Sequence, residues 1–221
     1  MWEQQLKLNY HLKSSIMAYK LVFIDDNMRE GVDNPLVRTI GKLNKDSETF
    51  VFVDPVEGLK FVLDNLNSRM IVFVDCKFDG YGLQGINILK QIREQTSLLY
   101  IVMMSANSIN QITGIDIIEM INEDYIWFLD RNNSTFEDAC NLIEKIRKLW
   151  VTRFDCVLEE WIVRHPEDAD KYAYREVGGK SYTWAELLVE LRHQTEVGKI
   201  FEGMVNDFYI YQLIKSEESK G

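Results

Sequence analysis

Residues 70 to 75 read Met70-Ile71-Val72-Phe73-Val74-Asp75, five apolar residues closed by a single acidic one. The pattern returns in two further places, where Lys20 to Ile24 is followed by the pair Asp25-Asp26 and Tyr100 to Met104 is followed by Ser105. Short runs rich in Val, Ile and Phe, separated by stretches of helical period, are typical of buried parallel strands in an α/β sheet. The carboxyl ends of such strands face a common crevice, where ligands bind. The sequence therefore predicts that these acidic and hydroxyl side chains share one edge of a sheet.

The remaining alternation completes a doubly wound fold. Two further strands are predicted over Thr49 to Val53 and Tyr125 to Leu129. Between the strands, apolar residues recur at intervals of three and four, as one face of a helix requires. Asp54-Pro55 begins the second helix, and residues 109 to 121 are expected to form the fourth. Five βα units in this order predict a five-stranded, doubly wound parallel sheet of the flavodoxin-like kind.

The acidic residues at the predicted edge suggest a cation site. Three carboxylates brought together would repel one another unless a hard divalent cation such as Mg²⁺ offsets their charge. A carboxylate beside such a cation can also act as a nucleophile toward phosphorus, because the metal neutralises charge on the transferring group. Paired aspartates after a strand can also simply cap a helix or line a solvated edge, and that alternative stays open at this point.

In this ordered set the chain resembles the receiver domain of two-component response regulators over roughly residues 18 to 150. The resemblance implies that Asp25 and Asp26 are the metal-binding pair and that Asp75 is the phosphoacceptor and a metal ligand. It also implies that Ser105 is the small hydroxyl residue ending the fourth strand. The backbone carbonyl of Lys77, two residues past the acceptor, would complete the protein's share of a Mg²⁺ shell.

Two features depart from the receiver pattern. Receivers carry a Lys after the fifth strand to pair with the phosphoryl group, and here Arg131 stands at the best-fitting place. An Arg keeps the charge, but its planar fork is not equivalent to a compact ammonium. The loop after Asp75, residues 76 to 85, is about two residues longer than usual, lacks Pro and contains three glycines. Because glycine is conformationally permissive, this loop is predicted to be adaptable.

Residues 151 to 221 are predicted to form a separate, all-α domain. Helices are expected near Trp161, after the capping box of Thr183 and Glu186, and after Thr195. This segment holds nine Lys and Arg against fourteen Asp and Glu, a net charge of −5. An acidic domain lacks the electrostatic footprint of a DNA-binding module, so we expect a protein partner and no nucleic acid.

Composition favours a cytoplasmic protein. The three cysteines, Cys76, Cys140 and Cys156, are scattered and odd in number, which suggests neither a disulfide framework nor a zinc site. No stretch approaches 18 apolar residues, and the first residues lack the apolar core of a signal peptide. We expect no membrane interaction. Residues 1 to 17 precede the first strand as an N-terminal extension with no receiver counterpart.

The sequence thus predicts a phosphoacceptor protein in a phosphorelay rather than an enzyme, beyond self-phosphorylation and dephosphorylation at most. A histidine kinase or phosphotransfer protein would donate the group to Asp75 in the presence of Mg²⁺, and Ser105 and Arg131 would respond to the new charge. The alternative is a pseudo-receiver, an interaction scaffold that keeps the fold without phosphorylation. A third interpretation, a hydrolase of the haloacid dehalogenase kind, lacks its Asp-x-Asp motif, since Asp25-Asp26-Asn27 has a different spacing.

Overall fold

The chain divides into two compact units, with the division between Thr152 and Arg153. The computed structural model describes residues 18–28, 34–106 and 114–218, apart from the side chains of Glu119 and residues 216–218. The proposed extension, residues 1 to 17, and the first part of the fourth predicted helix lie outside the described residues. Within the described part, no helix is long and apolar enough to span a membrane.

The N-terminal unit is built on a five-stranded parallel sheet with the order β2-β1-β3-β4-β5. This is the flavodoxin-like order, and the predicted fold class is confirmed. Each predicted strand is present, with its ends shifted by at most about two residues. The strands are β1 (Tyr19–Ile24), β2 (Ser47–Phe52), β3 (Met70–Asp75), β4 (Tyr100–Ser105) and β5 (Ile126–Asp130).

Five helices alternate with these strands. They are α1 (Pro35–Leu43), α2 (Pro55–Asp64), α3 (Gly85–Arg93), α4 (Gly114–Ile121) and α5 (Phe136–Trp150). As the sequence suggests, Pro55 occupies the first turn of α2, and the Asp54 carboxylate caps that helix by accepting from the amides of Val56 and Glu57. An additional capping box, Thr135 with Asp138, begins α5.

Both faces of the sheet are buried at its central strands β1, β3 and β4, as expected of parallel strands between helices. β3 is buried at all six positions, and alternate residues point to opposite faces. Val72 and Val74 belong to a core cluster that includes Ile88 and Ile92 of α3. Phe73, which lies between Val72 and Val74 in sequence, stacks on Phe23 of β1 with ring centroids 4.6 Å apart. This two-sided burial makes β3 a rigid platform for the residue that ends it.

The C-terminal unit is mainly helical, with α6 (Phe154–Arg164), α7 (Trp184–Arg192) and α8 (Glu196–Glu218). Thr183 and Glu186 form the predicted capping box, and the Thr195 hydroxyl accepts from the amide of Gly198 at 3.1 Å at the start of α8. The domain is not all-α, because an antiparallel hairpin of β6 (Tyr172–Arg175) and β7 (Ser181–Thr183) lies between α6 and α7. Strands this short carry too little alternation to be recognised in sequence.

A buried ion cluster stabilises this unit. Asp155 is 2% exposed and accepts from Arg153 Nε at 2.6 Å and from Arg192 Nε at 3.1 Å. Arg192 also pairs with Glu159 at 2.9 Å. Burial alone would raise the pKa of Asp155, but the two guanidinium groups outweigh it and hold the pKa below its ordinary value. The cluster is self-neutralised, so it can remain charged in the interior.

Candidate functional site

The sheet places every predicted site residue at its carboxyl edge. Asp75 ends β3, which lies between β1 and β4. Asp25 and Asp26 directly follow β1, Ser105 ends β4, and Arg131 directly follows β5. Asp75 stands opposite Met104 in the ladder, so Ser105 lies one position beyond it along the same edge. These four strand ends converge because all of the strands are parallel and in the flavodoxin-like order.

Three carboxylates form one cluster in this crevice. Ligand oxygens of Asp25, Asp26 and Asp75 all lie within 4.8 Å of one another. Asp25 is fully buried and Asp75 is 4% exposed, while Asp26 is half-buried. Carboxylate oxygens are hard ligands that suit Mg²⁺, and the cluster's negative charge gives a divalent cation a reason to bind. The residues present therefore fit the predicted metal.

Arg131 is in direct contact with two of these carboxylates. One Nη atom donates to Oδ2 of Asp25, and the other donates to Oδ2 of Asp75 at 2.9 Å. The Arg131 backbone amide donates to the carbonyl of Ser105 at 2.8 Å, which fixes the start of the side chain at the sheet edge. The guanidinium thus spans two strand ends, and its charge partly neutralises the cluster.

Backbone and side-chain amides satisfy the carboxylates further. Asp25 Oδ1 accepts from the Asn27 amide at 2.9 Å, and Asp26 Oδ1 accepts from Asn27 Nδ2 at 3.0 Å. Asp26 Oδ2 accepts from the amide of Asp79 at 2.7 Å. Asp75 accepts from the backbone amide of Lys77 as well as from Arg131. Each carboxylate consequently has two donors from the protein itself, which lowers the cost of keeping three charges together.

Burial raises the pKa of Asp75 from the ordinary 3.8 to about 6. The Arg131 guanidinium and the Lys77 amide act in the opposite direction, whereas the charges of Asp25 and Asp26 add to the increase. At neutral pH the carboxylate is still mainly ionised. It is a more basic oxygen nucleophile than an exposed aspartate, because its charged form is less well solvated.

The loop after Asp75 is held in place by a residue that the sequence analysis did not identify. Gln84 Oε1 accepts from the Phe78 amide at 3.0 Å, and Gln84 Nε2 donates to the carbonyls of Phe78 and Tyr81 at 3.0 and 2.9 Å. Phe78 is 1% exposed and packs in the core cluster. These bonds tie the loop backbone at Phe78 and Tyr81 to the start of α3. The adaptability that the three glycines predict stays a prediction. Gln84 lies at the N-cap of α3, where its backbone amide donates to Asn87 Oδ1 at 3.1 Å, and no sequence motif indicated its bonds to the loop.

Gly85, which closes this loop, has a steric role. A Cβ atom at this position would lie 2.2 Å from the carbonyl oxygen of Asp75 and 2.9 Å from Cα of Cys76. Only glycine allows α3 to begin this close to the end of β3.

The predicted contribution of the Lys77 carbonyl to a metal shell stays a prediction. The Lys77 side chain is exposed, and its ammonium lies 3.6 Å from the exposed carboxylate of Asp79.

The N-terminal unit has the flavodoxin-like strand order, and solved structures to which the chain is similar include receiver domains. Similar solved structures include a response regulator receiver domain protein from Clostridium thermocellum, with 21% identity and a TM-score of 0.45 over 59% of this chain and 94% of that one. The chemotaxis protein CheY4 of Vibrio cholerae has 14% identity and a TM-score of 0.43 over 58% and 98% of the two chains. The receiver domain of a Francisella response regulator has 20% identity and a TM-score of 0.42 over 59% and 97%.

No protein-family model matches the chain, and a search of curated proteins finds no match. The C-terminal region is unassigned.

The C-terminal unit presents a large apolar surface on α8. The side chains of Met204, Phe208, Ile210, Tyr211 and Leu213 are each at least half exposed. They point to several sides of the helix rather than to one stripe, as their spacing shows. An exposed apolar area of this size is uncommon on the surface of a folded protein.

Proposed function

We propose that this protein is a phosphoacceptor of the response-regulator kind, which receives a phosphoryl group on Asp75 and signals or buffers phosphate through protein contacts. One observation supports this proposal above the others. Asp75 ends the central strand with two further carboxylates within 4.8 Å and a guanidinium at 2.9 Å. Phosphoryl transfer needs a basic oxygen nucleophile, a group of carboxylates that can bind a cation, and a positively charged hydrogen-bond donor held in place.

Mg²⁺ is the proposed cofactor. Asp25, Asp26 and Asp75 would hold it, together with the backbone carbonyl of Lys77. When bound, the ion would neutralise charge on the transferring phosphoryl group. The ligand atoms of the described cluster are carboxylate oxygens, and such hard donors favour this ion over a softer metal.

The side chains of Asp75, Arg131 and Ser105 would carry out the other parts of the transfer. An oxygen of Asp75 would attack the phosphorus of a phosphohistidine on a histidine kinase or phosphotransfer protein. The new P–O bond forms as the P–N bond breaks, and the partner's imidazole leaves with the electron pair. Arg131, already bonded to Asp75, would donate to the phosphoryl oxygens, and Ser105 at the next strand end would provide a hydroxyl for the same group. Hydrolysis would return the carboxylate, and we propose no other enzymatic activity.

The output would be a change in protein contacts. The C-terminal unit has a net charge of −5 from nine basic and fourteen acidic residues, so duplex DNA would meet repulsion. The exposed apolar side chains of α8 suit a protein partner instead. We propose a cytoplasmic protein that works without nucleic acid or a membrane.

The second candidate is a pseudo-receiver, which keeps the fold as an interaction scaffold without phosphorylation. The double contact of Arg131 with Asp25 and Asp75 favours it, because the carboxylates are already satisfied by the protein's own donors. The two candidates differ in whether an external cation and a phosphoryl group can replace those donors.

Intact mass spectrometry after incubation with acetyl phosphate and Mg²⁺ tests the proposal. We expect one labile phosphoryl group on the parent protein and none on Asp75→Asn. The matched control is Asp64→Asn, which removes an exposed carboxylate at the end of α2 and should be modified like the parent. Modification of Asp75→Asn would exclude Asp75 as the acceptor, and failure of the parent to react or to take up beryllofluoride would favour the scaffold.

A Mg²⁺ titration followed by tryptophan fluorescence or amide shifts tests the cation site separately. We expect a saturable change in the parent that Asp26→Ala abolishes. An identical titration curve for Asp26→Ala would show that the acidic pair does not bind the ion.

A further inference from the structure

The guanidinium of Arg131 occupies the position from which both buried carboxylates are neutralised. It reaches Asp25 and Asp75 at once, and these are the two most buried members of the acidic cluster. A divalent cation that took oxygens from the same carboxylates would stand within a few ångströms of this positive charge. Two like charges that close repel strongly in a partly buried site.

We propose that Arg131 is a tethered counter-cation, which competes with the divalent ion for Asp25 and Asp75 and so sets the metal affinity of the site. This inference rests on the proposed function and concerns the regulation of its metal site. Binding of the ion is then an exchange, in which the guanidinium leaves at least one carboxylate, rather than the filling of an open site.

The backbone of Arg131 is held by hydrogen bonds, whereas its side chain is partly exposed. Its backbone amide is bonded to Ser105, and the following turn is held by Asp130, whose Oδ1 accepts from the Asn132 amide at 3.0 Å and whose carbonyl accepts from the Ser134 amide at 2.7 Å. The Arg131 side chain is 23% exposed, whereas Asp25 is fully buried. Rotation of the side chain toward solvent would release the guanidinium while the backbone bonds of this turn stay in place.

An arginine suits this competition better than a lysine would. Its two terminal nitrogens bond to carboxylates on two different strands, which a compact ammonium cannot match with the same fixed fork. Once released from Asp25 or Asp75, the same donors are free to contact an incoming phosphoryl group. Metal entry and the readiness of Arg131 for phosphate are thereby coupled through one side chain.

Mn²⁺ binding, measured by electron paramagnetic resonance without any phosphodonor, tests the inference on the full chain. Arg131→Met should lower the Kd for Mn²⁺ by roughly tenfold or more, because the competing charge is gone. Arg131→Lys should lower it by a smaller factor, and this variant decides the matter if Arg131→Met does not fold. The matched control is Arg147→Met, which removes an equal charge from the same unit at the ion pair with Asp46. Its Kd should stay within about twofold of the parent, since screening weakens distant charges.

A second readout separates competition from a structural role. In EDTA, Arg131→Met should melt below the parent, because buried carboxylates lose their partner. Mn²⁺ should raise the Tm of the variant more than that of the parent. An unchanged or raised Kd in Arg131→Met and Arg131→Lys would overturn the inference, even if acetyl phosphate labels Asp75. Tighter Mn²⁺ binding without labelling would leave the inference standing and overturn the proposed function, and no binding by any variant would overturn both.

Discussion

Replacing Asp75 by Asn is expected to stabilise the metal-free protein at neutral pH. The pKa of this buried carboxyl is raised from 3.8 to about 6, so the folded state binds its proton more tightly than the unfolded state does. Stability attributable to Asp75 is therefore fully present below about pH 3.8 and is lost as the pH rises through 6. Each unit of pKa difference corresponds to about 1.4 kcal/mol. The ionised carboxylate thus costs about 3 kcal/mol above pH 6, a charge that Asn does not carry.

The effect of Arg131 is already included in this value, because its guanidinium lowers the pKa of Asp75 and burial still prevails. The difference in unfolding free energy between Asp75→Asn and the parent should be near zero at pH 4. It should grow to about 3 kcal/mol at pH 7. A reactive group that lowers the stability of the folded protein is a common consequence of selection for function over stability.

The measurement is urea unfolding in EDTA between pH 4 and 8, followed by amide hydrogen exchange at Val72 and Val74 of β3. These buried strand amides report on the N-terminal unit separately from the C-terminal one. Asp64→Asn, an exposed carboxylate, should change stability by less than about 0.5 kcal/mol at every pH. A variant that is less stable than the parent at pH 7, or a stabilisation independent of pH, would refute the reasoning.

Three further predictions concern other parts of the chain. Gly85→Ala should destabilise the N-terminal unit by at least about 2 kcal/mol in urea, because its Cβ would lie 2.2 Å from the Asp75 carbonyl; Gly82→Ala, with open space around the added atom, should unfold like the parent. Asp155→Asn should destabilise the C-terminal unit by about 3 kcal/mol, since Arg153 and Arg192 lose their buried carboxylate, and a loss below about 1 kcal/mol would contradict that account. Residues 151 to 221 should show no mobility shift with duplex DNA at low salt, whereas micromolar binding that weakens steeply with salt would reveal a local basic patch.

The strands were predictable because burial on both faces leaves a plain mark on the sequence. β1, β3 and β4 each contain six residues, nearly all of them buried, so their composition alone identified them to within one residue. The strand ends then carried Asp25, Asp75 and Ser105 to one edge through the topology of parallel sheets. Fold class and the shared location of the candidate site thus followed from local pattern and general rules.

The hairpin of the C-terminal unit was not predictable in this way. β6 and β7 contain only four and three residues, and Tyr172 is 76% exposed. In the segment between them Gly178 adopts a positive φ of 70°, which glycine tolerates. What holds the strands in place is packing of Tyr182 in a core with Leu187 and Phe201, a tertiary contact that no local pattern announces.

The loop after Asp75 is a second place where tertiary contacts could not be predicted from the sequence. Its glycines predicted freedom, but a glycine permits a conformation without determining whether the chain is free to leave it. Here Gln84 makes three hydrogen bonds to the backbone of residues 78 and 81, contacts that the glycines do not indicate. The bond from the Asp79 amide to Asp26 then links this loop to the acidic pair across 53 positions of sequence.

The sequence alone does not decide between the two candidate functions, and the contacts of Arg131 show on what that choice depends. Its place after β5 indicated a charge near the acceptor, and both the phosphoacceptor and the scaffold interpretation can accommodate that. The contacts with Asp25 and Asp75 turn the choice into a competition between a guanidinium and a divalent ion for the same oxygens. The tethered charge has the advantage of local concentration, while the free ion has twice the charge and enters from solution. If the ion wins, Arg131 is released toward the incoming phosphoryl group and the chain can act as an acceptor. If the guanidinium wins, Asp75 stays paired and the same fold remains a scaffold.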